Sequence, residues 1–114
     1  MPEKVTTTIT NLSNDVFVSA VSFLEIAIKV RTGKLDIGKD KPGDMPHRAV
    51  DMGFILLGLS PEDAATMGQL AEETHFDPFD RMLIWQAISQ KMTLISGDRE
   101  FERFKTDGLK LLWK

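Results

Sequence analysis

Three acidic residues, Glu25, Asp80 and Asp98, stand where a helical pattern opens next to a short apolar run. Glu25 follows the run Val16-Phe17-Val18, and Asp98 follows Thr93-Leu94-Ile95-Ser96. Asp80 begins a long helical pattern that leads into the second of those runs. In open α/β sheets the ligand site lies beyond the carboxyl ends of the strands. Carboxylates gathered from separate strand ends make an all-oxygen cage suited to Mg²⁺ or Mn²⁺. Such ions activate a water and stabilise an in-line displacement at phosphorus.

Each acid also has a purely structural role open to it. Ser22-Phe23-Leu24-Glu25 fits a capping box, in which Glu25 closes the first turn of its own helix. Asp77-Pro78-Phe79-Asp80 puts Asp77 at an N-cap and Asp80 in the first turn, where negative charge favours the helix dipole. Asp98, before Arg99-Glu100-Phe101, is placed to cap as well. Spacing alone leaves these roles open.

The elements that must position these acids alternate in type. Val16 to Val18 reads as a strand buried on both faces. Ser22 to Arg31 reads as a helix through Phe23, Ile26, Ala27 and Val30, with Gly33 as its stop. A helix around His47 to Met52 precedes a strand at Phe54 to Leu57, and Ser60-Pro61-Glu62 opens another helix. Pro78 to Gln90 is the strongest helix. A strand at Thr93 to Ser96, a short helix at Arg99 to Phe104 and a strand at Leu109 to Trp113 complete the chain. Strands alternating with helices predict an α/β fold: a three-layer α/β/α sandwich with a mostly parallel sheet, in a single domain over residues 1–114. Lys4 to Thr10 is open between a strand, from its β-branched residues, and a helix, from Pro2-Glu3-Lys4.

Composition narrows the classes. Hydrophobic residues make up 42% and charged residues 27%, as in ordinary globular domains. With no cysteine, disulfides and thiolate metal sites are excluded. The first ten residues lack the apolar segment of a signal peptide, and no stretch is long enough to span a bilayer. A cytoplasmic location without membrane attachment is therefore the expectation. A net charge of -3 supplies no general attraction to nucleic acid, so RNA binding must use local cations. No glycine-rich phosphate loop and no Ser-His-Asp arrangement is visible.

The string from Val16 to Leu35, centred on Ser19-Ala20-Val21-Ser22-Phe23-Leu24-Glu25, resembles the serine-to-glutamate segment of VapC-like PIN-domain toxins. His75-Phe76-Asp77-Pro78-Phe79-Asp80-Arg81-Met82-Leu83-Ile84, then Gln86-Ala87, resembles the next family motif. Leu94-Ile95-Ser96-Gly97-Asp98-Arg99-Glu100-Phe101 and the closing Leu111-Leu112-Trp113 complete the match in the right order. The resemblance implies a Mg²⁺- or Mn²⁺-dependent endoribonuclease whose catalytic and metal-holding residues here are Glu25, Asp80 and Asp98. It also implies a hydroxyl at Ser96 beside the last of them and an outer partner at Asp77. Such proteins commonly form homodimers and are silenced by an antitoxin.

The pattern departs from the family at its start, where a strand ending in an aspartate is expected and nothing corresponds. Asp15 is the nearest acid, but it precedes its strand, so about four residues of extended chain put it some 13 Å from the strand's carboxyl end, and with Asn14 it reads as a turn residue. The chain is thus expected to be a member shortened at its N-terminus. Lys4 to Thr10, or a segment of a second copy, is the candidate to fill the absent strand position. The alternative function is an inactive module that binds an antitoxin or another copy of itself. Lys29, Arg31, Lys34 and Arg81 are candidate contacts for RNA phosphates. Lys29 lies four residues after Glu25, and Arg81 four after Asp77, so helix-face ion pairs compete with that role. His75 suits a capping or packing role, and His47 has no assigned one.

Overall fold

The computed structural model describes residues 1–11, 13–71 and 77–113, and His75 and Phe76 of the second motif lie outside them. The fold is α/β, and the chain groups into two compact units, Asp15–Leu59 and Met1–Asn14 with Ser60–Lys114.

In the unit Asp15–Leu59, strand β1 (Phe17–Ser19) pairs in parallel with β2 (Ile55–Leu57), in the register Phe17↔Ile55, Val18↔Leu56 and Ser19↔Leu57. Helix α2 (Ala20–Arg31), a 3₁₀ turn (Pro42–Asp44) and helix α3 (Met45–Asp51) form the crossover. Val21 and Ala49 are its buried apolar residues. The helix expected from Ser22 begins at Ala20, because Ser19 ends the strand and caps the helix at once. Its hydroxyl accepts from the N–H of Val21 at 3.1 Å. Glu25 therefore lies beyond the first turn, and the capping box read at Ser22 to Glu25 is overturned.

The other unit opens with helix α1 (Glu3–Thr10), so Lys4 to Thr10 does not supply a strand. The β-branched threonines that favoured a strand are accommodated by local bonding. The hydroxyls of Thr8 and Thr10 donate to the carbonyls of Lys4 and Thr6, at 2.8 and 2.9 Å. Pro2 precedes the first turn, and Val5 is fully buried. Helix α4 (Pro61–Thr66) is capped by Ser60, whose hydroxyl accepts from the N–H of Asp63 at 3.0 Å. Helix α5 (Pro78–Ser89) leads to β3 (Thr93–Ile95), and a 3₁₀ helix (Arg99–Asp107) leads to β4 (Lys110–Leu112). Strands β3 and β4 are parallel, with Thr93↔Lys110, Leu94↔Leu111 and Ile95↔Leu112.

Leu70, Ile84, Ala87, Phe101, Phe104 and Leu109 make the core of this unit, with Trp85, Ile88, Leu94 and Leu111 packed against it. Phe101 and Phe104 are three residues apart, so a 3₁₀ helix sets both on one face. Two devices aim the strands. Lys91 takes a left-handed φ of 56°, and the N–H of Met92 donates back to the carbonyl of Ala87 at 2.8 Å, which ends α5 and starts β3. Gly108, at φ 103°, does the same before β4, with Leu109 donating to Phe104.

Candidate active site

Asp77 is the N-cap of α5. Its Oδ1 accepts from the N–H groups of Phe79 at 2.9 Å and Asp80 at 3.1 Å. Asp80 is the third residue of the helix and half-buried. Asp77 and Asp80 each offer a carboxylate oxygen within 4.8 Å of the other. The cap role read for Asp77 is present, and the cap itself orients the backbone that carries Asp80.

Asp98 leaves β3 through the turn Ser96-Gly97-Asp98. Ser96 extends the pairing by donating its N–H to the carbonyl of Leu112 at 3.3 Å. The Ser96 hydroxyl accepts from the N–H of Asp98 at 3.2 Å, and Asp98 Oδ1 accepts from the N–H of Glu100 at 2.9 Å. Asp98 thus caps the 3₁₀ helix with one oxygen, and among the described residues its Oδ2 has no partner. Ser96 acts here on the backbone of Asp98 and fixes the turn. Asp98 does not gather with both Asp77 and Asp80 into one cluster of ligand distance among the described residues.

Glu25 lies on α2, in the unit Asp15–Leu59, and forms an ion pair with Lys29 at 2.7 Å, one turn on. The helix-face pairing read for Lys29 is therefore present. Arg31 and Lys34 are exposed at the end of the same helix, and Gly33, at φ 76°, terminates it as its sequence position predicts. Arg81 packs its guanidinium over the ring of Phe104, 5.8 Å from the centroid, and donates to the carbonyl of Leu70 at 3.5 Å. That partly buried seat ties it to the core. His47 is exposed on α3.

The donors are all carboxylate oxygens, the chemistry that Mg²⁺ and Mn²⁺ accept. Asp77 and Asp80 stand close enough to share one ion's neighbourhood, and Asp98 keeps one oxygen uncommitted. The residues present therefore fit a divalent cation.

A pocket of about 570 Å³ opens beside Ser96, walled by Gly97, Asp98, Arg99, Glu102, Leu111 and Trp113. Sequence reasoning assigned no site role to Arg99, Glu102 or Trp113. Arg99 and Glu102 follow Asp98 at a spacing of three, which in a 3₁₀ helix puts both on one side. That spacing was the available signal.

Two parallel strand pairs alternate with helices, and Asp77 and Asp98 cap the helices that precede β3 and β4, an α/β arrangement with acids at helix entrances. Residues 2–106 match the family model of the PIN domain, and the chain belongs to that family. PIN domains generally use divalent metal ions. No curated protein matches the chain.

Proposed function

We propose that this PIN domain is a VapC-like endoribonuclease toxin that cleaves cellular RNA with Mg²⁺ or Mn²⁺, in the cytoplasm. Membership of the PIN family carries the reading, because it gives chemical meaning to acids that otherwise only serve their helices, Asp98 as a cap, Asp80 in a first turn and Glu25 in a pair with Lys29. Glu25, Asp80 and Asp98 are the residues proposed to hold the ion. Asp77 and Ser96 fix the backbones of Asp80 and Asp98. The bound ion supplies activation of water and neutralisation of charge at the phosphate. Lys29, Arg31, Lys34 and Arg81 are proposed to meet RNA phosphates. Arg31 and Lys34 are the better supported, since both are exposed.

The proposed protein partners are a cognate antitoxin and a second copy of the chain. Large apolar side chains left exposed in the unit Asp15–Leu59, among them Leu24, Val50, Met52 and Leu56, support such contacts. Among the described residues no helix is long and apolar enough to cross a membrane.

The test is Mn²⁺-dependent cleavage of a mixed RNA by the folded protein, beside an Asp98→Asn variant and a chelated sample. Cleavage abolished by the substitution and by chelation is the expected result. Folded protein that cleaves nothing under any divalent ion, yet still binds its antitoxin or itself, would instead be an inactive binding module.

A further inference from the structure

The pocket beyond β3 and β4 combines three kinds of wall. Trp113 and Leu111 form an apolar side, Arg99 supplies a cation and Glu102 a carboxylate. Among the described residues Arg99 engages no acid, and Glu102 meets only Lys105, at 4.0 Å. Both charges are exposed and available to a ligand. Trp113 is 38% exposed, and Gly97, with no side chain, lets the indole settle directly against the turn that carries Asp98. The volume, about 570 Å³, lies within the range of small-ligand pockets.

A flat aromatic, a guanidinium and a carboxylate around one small space match the parts of a single nucleotide. Unpaired bases stack on aromatic side chains, and a guanidinium pairs with phosphate. A carboxylate only accepts hydrogen bonds, so on a base edge it selects exocyclic amino groups. Uracil has no such group: its one pairing-edge donor, N3–H, is flanked on both sides by carbonyl oxygens that repel the acid.

We propose that this pocket receives one unpaired RNA base beside Asp98, stacked on Trp113, with Glu102 selecting adenine, cytosine or guanine over uracil. Arg99 meets the phosphate of the same nucleotide. The inference takes its substrate class from the ribonuclease reading and adds a specificity-determining site to it. Of the wall residues only Asp98 and Ser96 serve the proposed metal chemistry, so Arg99, Glu102 and Trp113 can be altered separately.

The experiment measures binding of short fluorescent oligoadenylate, oligocytidylate and oligouridylate to the full chain by anisotropy, in EDTA so that nothing is cleaved. The wild type is expected to bind the adenine and cytosine oligomers more tightly than the uracil one. Trp113→Leu should weaken binding about tenfold, and Trp113→Phe should recover most of it. Glu102→Gln, at an exposed position, should keep affinity and lose the preference. Equal affinities in all variants with unchanged melting temperature, or absence of any base preference in the wild type, overturns the proposal. Mn²⁺-dependent cleavage is assayed in parallel. Cleavage with unaltered binding in the pocket variants rejects the pocket and spares the nuclease. Base-selective binding without cleavage by any protein does the reverse.

Discussion

Gly97 lies against the indole of Trp113 so closely that a Cβ built on it would stand 2.7 Å from Cε2 and 2.9 Å from Cζ2. Those distances are below any tolerable carbon contact, so the turn bearing Asp98 and the last aromatic residue share one fitted space. Gly97→Ala must push the ring outward. Because Trp113 is partly exposed, the ring can move, and the expected cost is about 1–2 kcal/mol, the low end for overpacking. Chemical denaturation measures that cost. Trp113→Ala in the same chain should remove the clash and make the two substitutions non-additive.

Asp63 is a buried carboxylate on α4 whose two oxygens accept from the Ser89 hydroxyl at 2.6 Å and from the Gln90 side-chain amide at 3.1 Å. It ties α4 to the end of α5 and has no place in the proposed chemistry. Asp63→Ala is expected to cost about 2 kcal/mol, as for hydrogen bonds to a charged group. Ser89→Ala should cost about half as much, since the Gln90 bond survives. Urea melts of the singles and the double give the coupling. A loss under 0.5 kcal/mol for Asp63→Ala would show the tie to be worth no more than a typical surface change.

Most of the strand and helix order is readable from the sequence because each strand is a short apolar run and each following helix has its own opening signal. Ser60-Pro61 and Asp77-Pro78 are such signals, and both cap helices as read. The failures are equally local. Ser22 looked like a cap because four residues fit a capping box, yet Ser19 is nearer the strand end and takes the role. Lys4 to Thr10 reads either way, extended from its β-branched threonines or helical from Pro2-Glu3-Lys4, and hydroxyl bonds to carbonyls four residues back accommodate the threonines in the helix that forms. The end of the 3₁₀ helix, read at Phe104, falls at Asp107, since its last residues are polar and carry no periodic signal. Asp63 with Ser89, and Gly97 with Trp113, are juxtapositions across the chain that no local pattern encodes. The three acids of the proposed site were legible through their motifs, whereas the pocket beside Asp98 was not.

Lys29 holds Glu25 at 2.7 Å across one helical turn, on a surface where the lysine is 44% exposed. An ion pair of this kind contributes about 0.3–0.5 kcal/mol, so Lys29→Met should barely shift the melting temperature. Its effect on the metal should be larger. Without the competing ammonium, Glu25 is freer to hold a cation, and the Mn²⁺ concentration for half-maximal cleavage should fall. Metal titration at fixed RNA checks this. An unchanged or higher requirement would mean either that Glu25 is no ligand or that Lys29 serves the RNA.

Asp77 separates two roles that its position superimposes. As the N-cap of α5 it accepts from the N–H groups of Phe79 and Asp80, and asparagine caps about as well as aspartate. Asp77→Asn should therefore keep stability, while Asp77→Ala should cost about 1 kcal/mol. If the charge of Asp77 also helps the neighbouring Asp80 hold a cation, Asp77→Asn weakens Mn²⁺ affinity even though the helix is intact. Thermal melts, together with Mn²⁺ titration by electron paramagnetic resonance, resolve the pair of effects. Weaker affinity at wild-type stability assigns the charge to the metal. Wild-type affinity in Asp77→Asn confines Asp77 to the cap, leaving Asp80 to act through a backbone that the cap has already aimed.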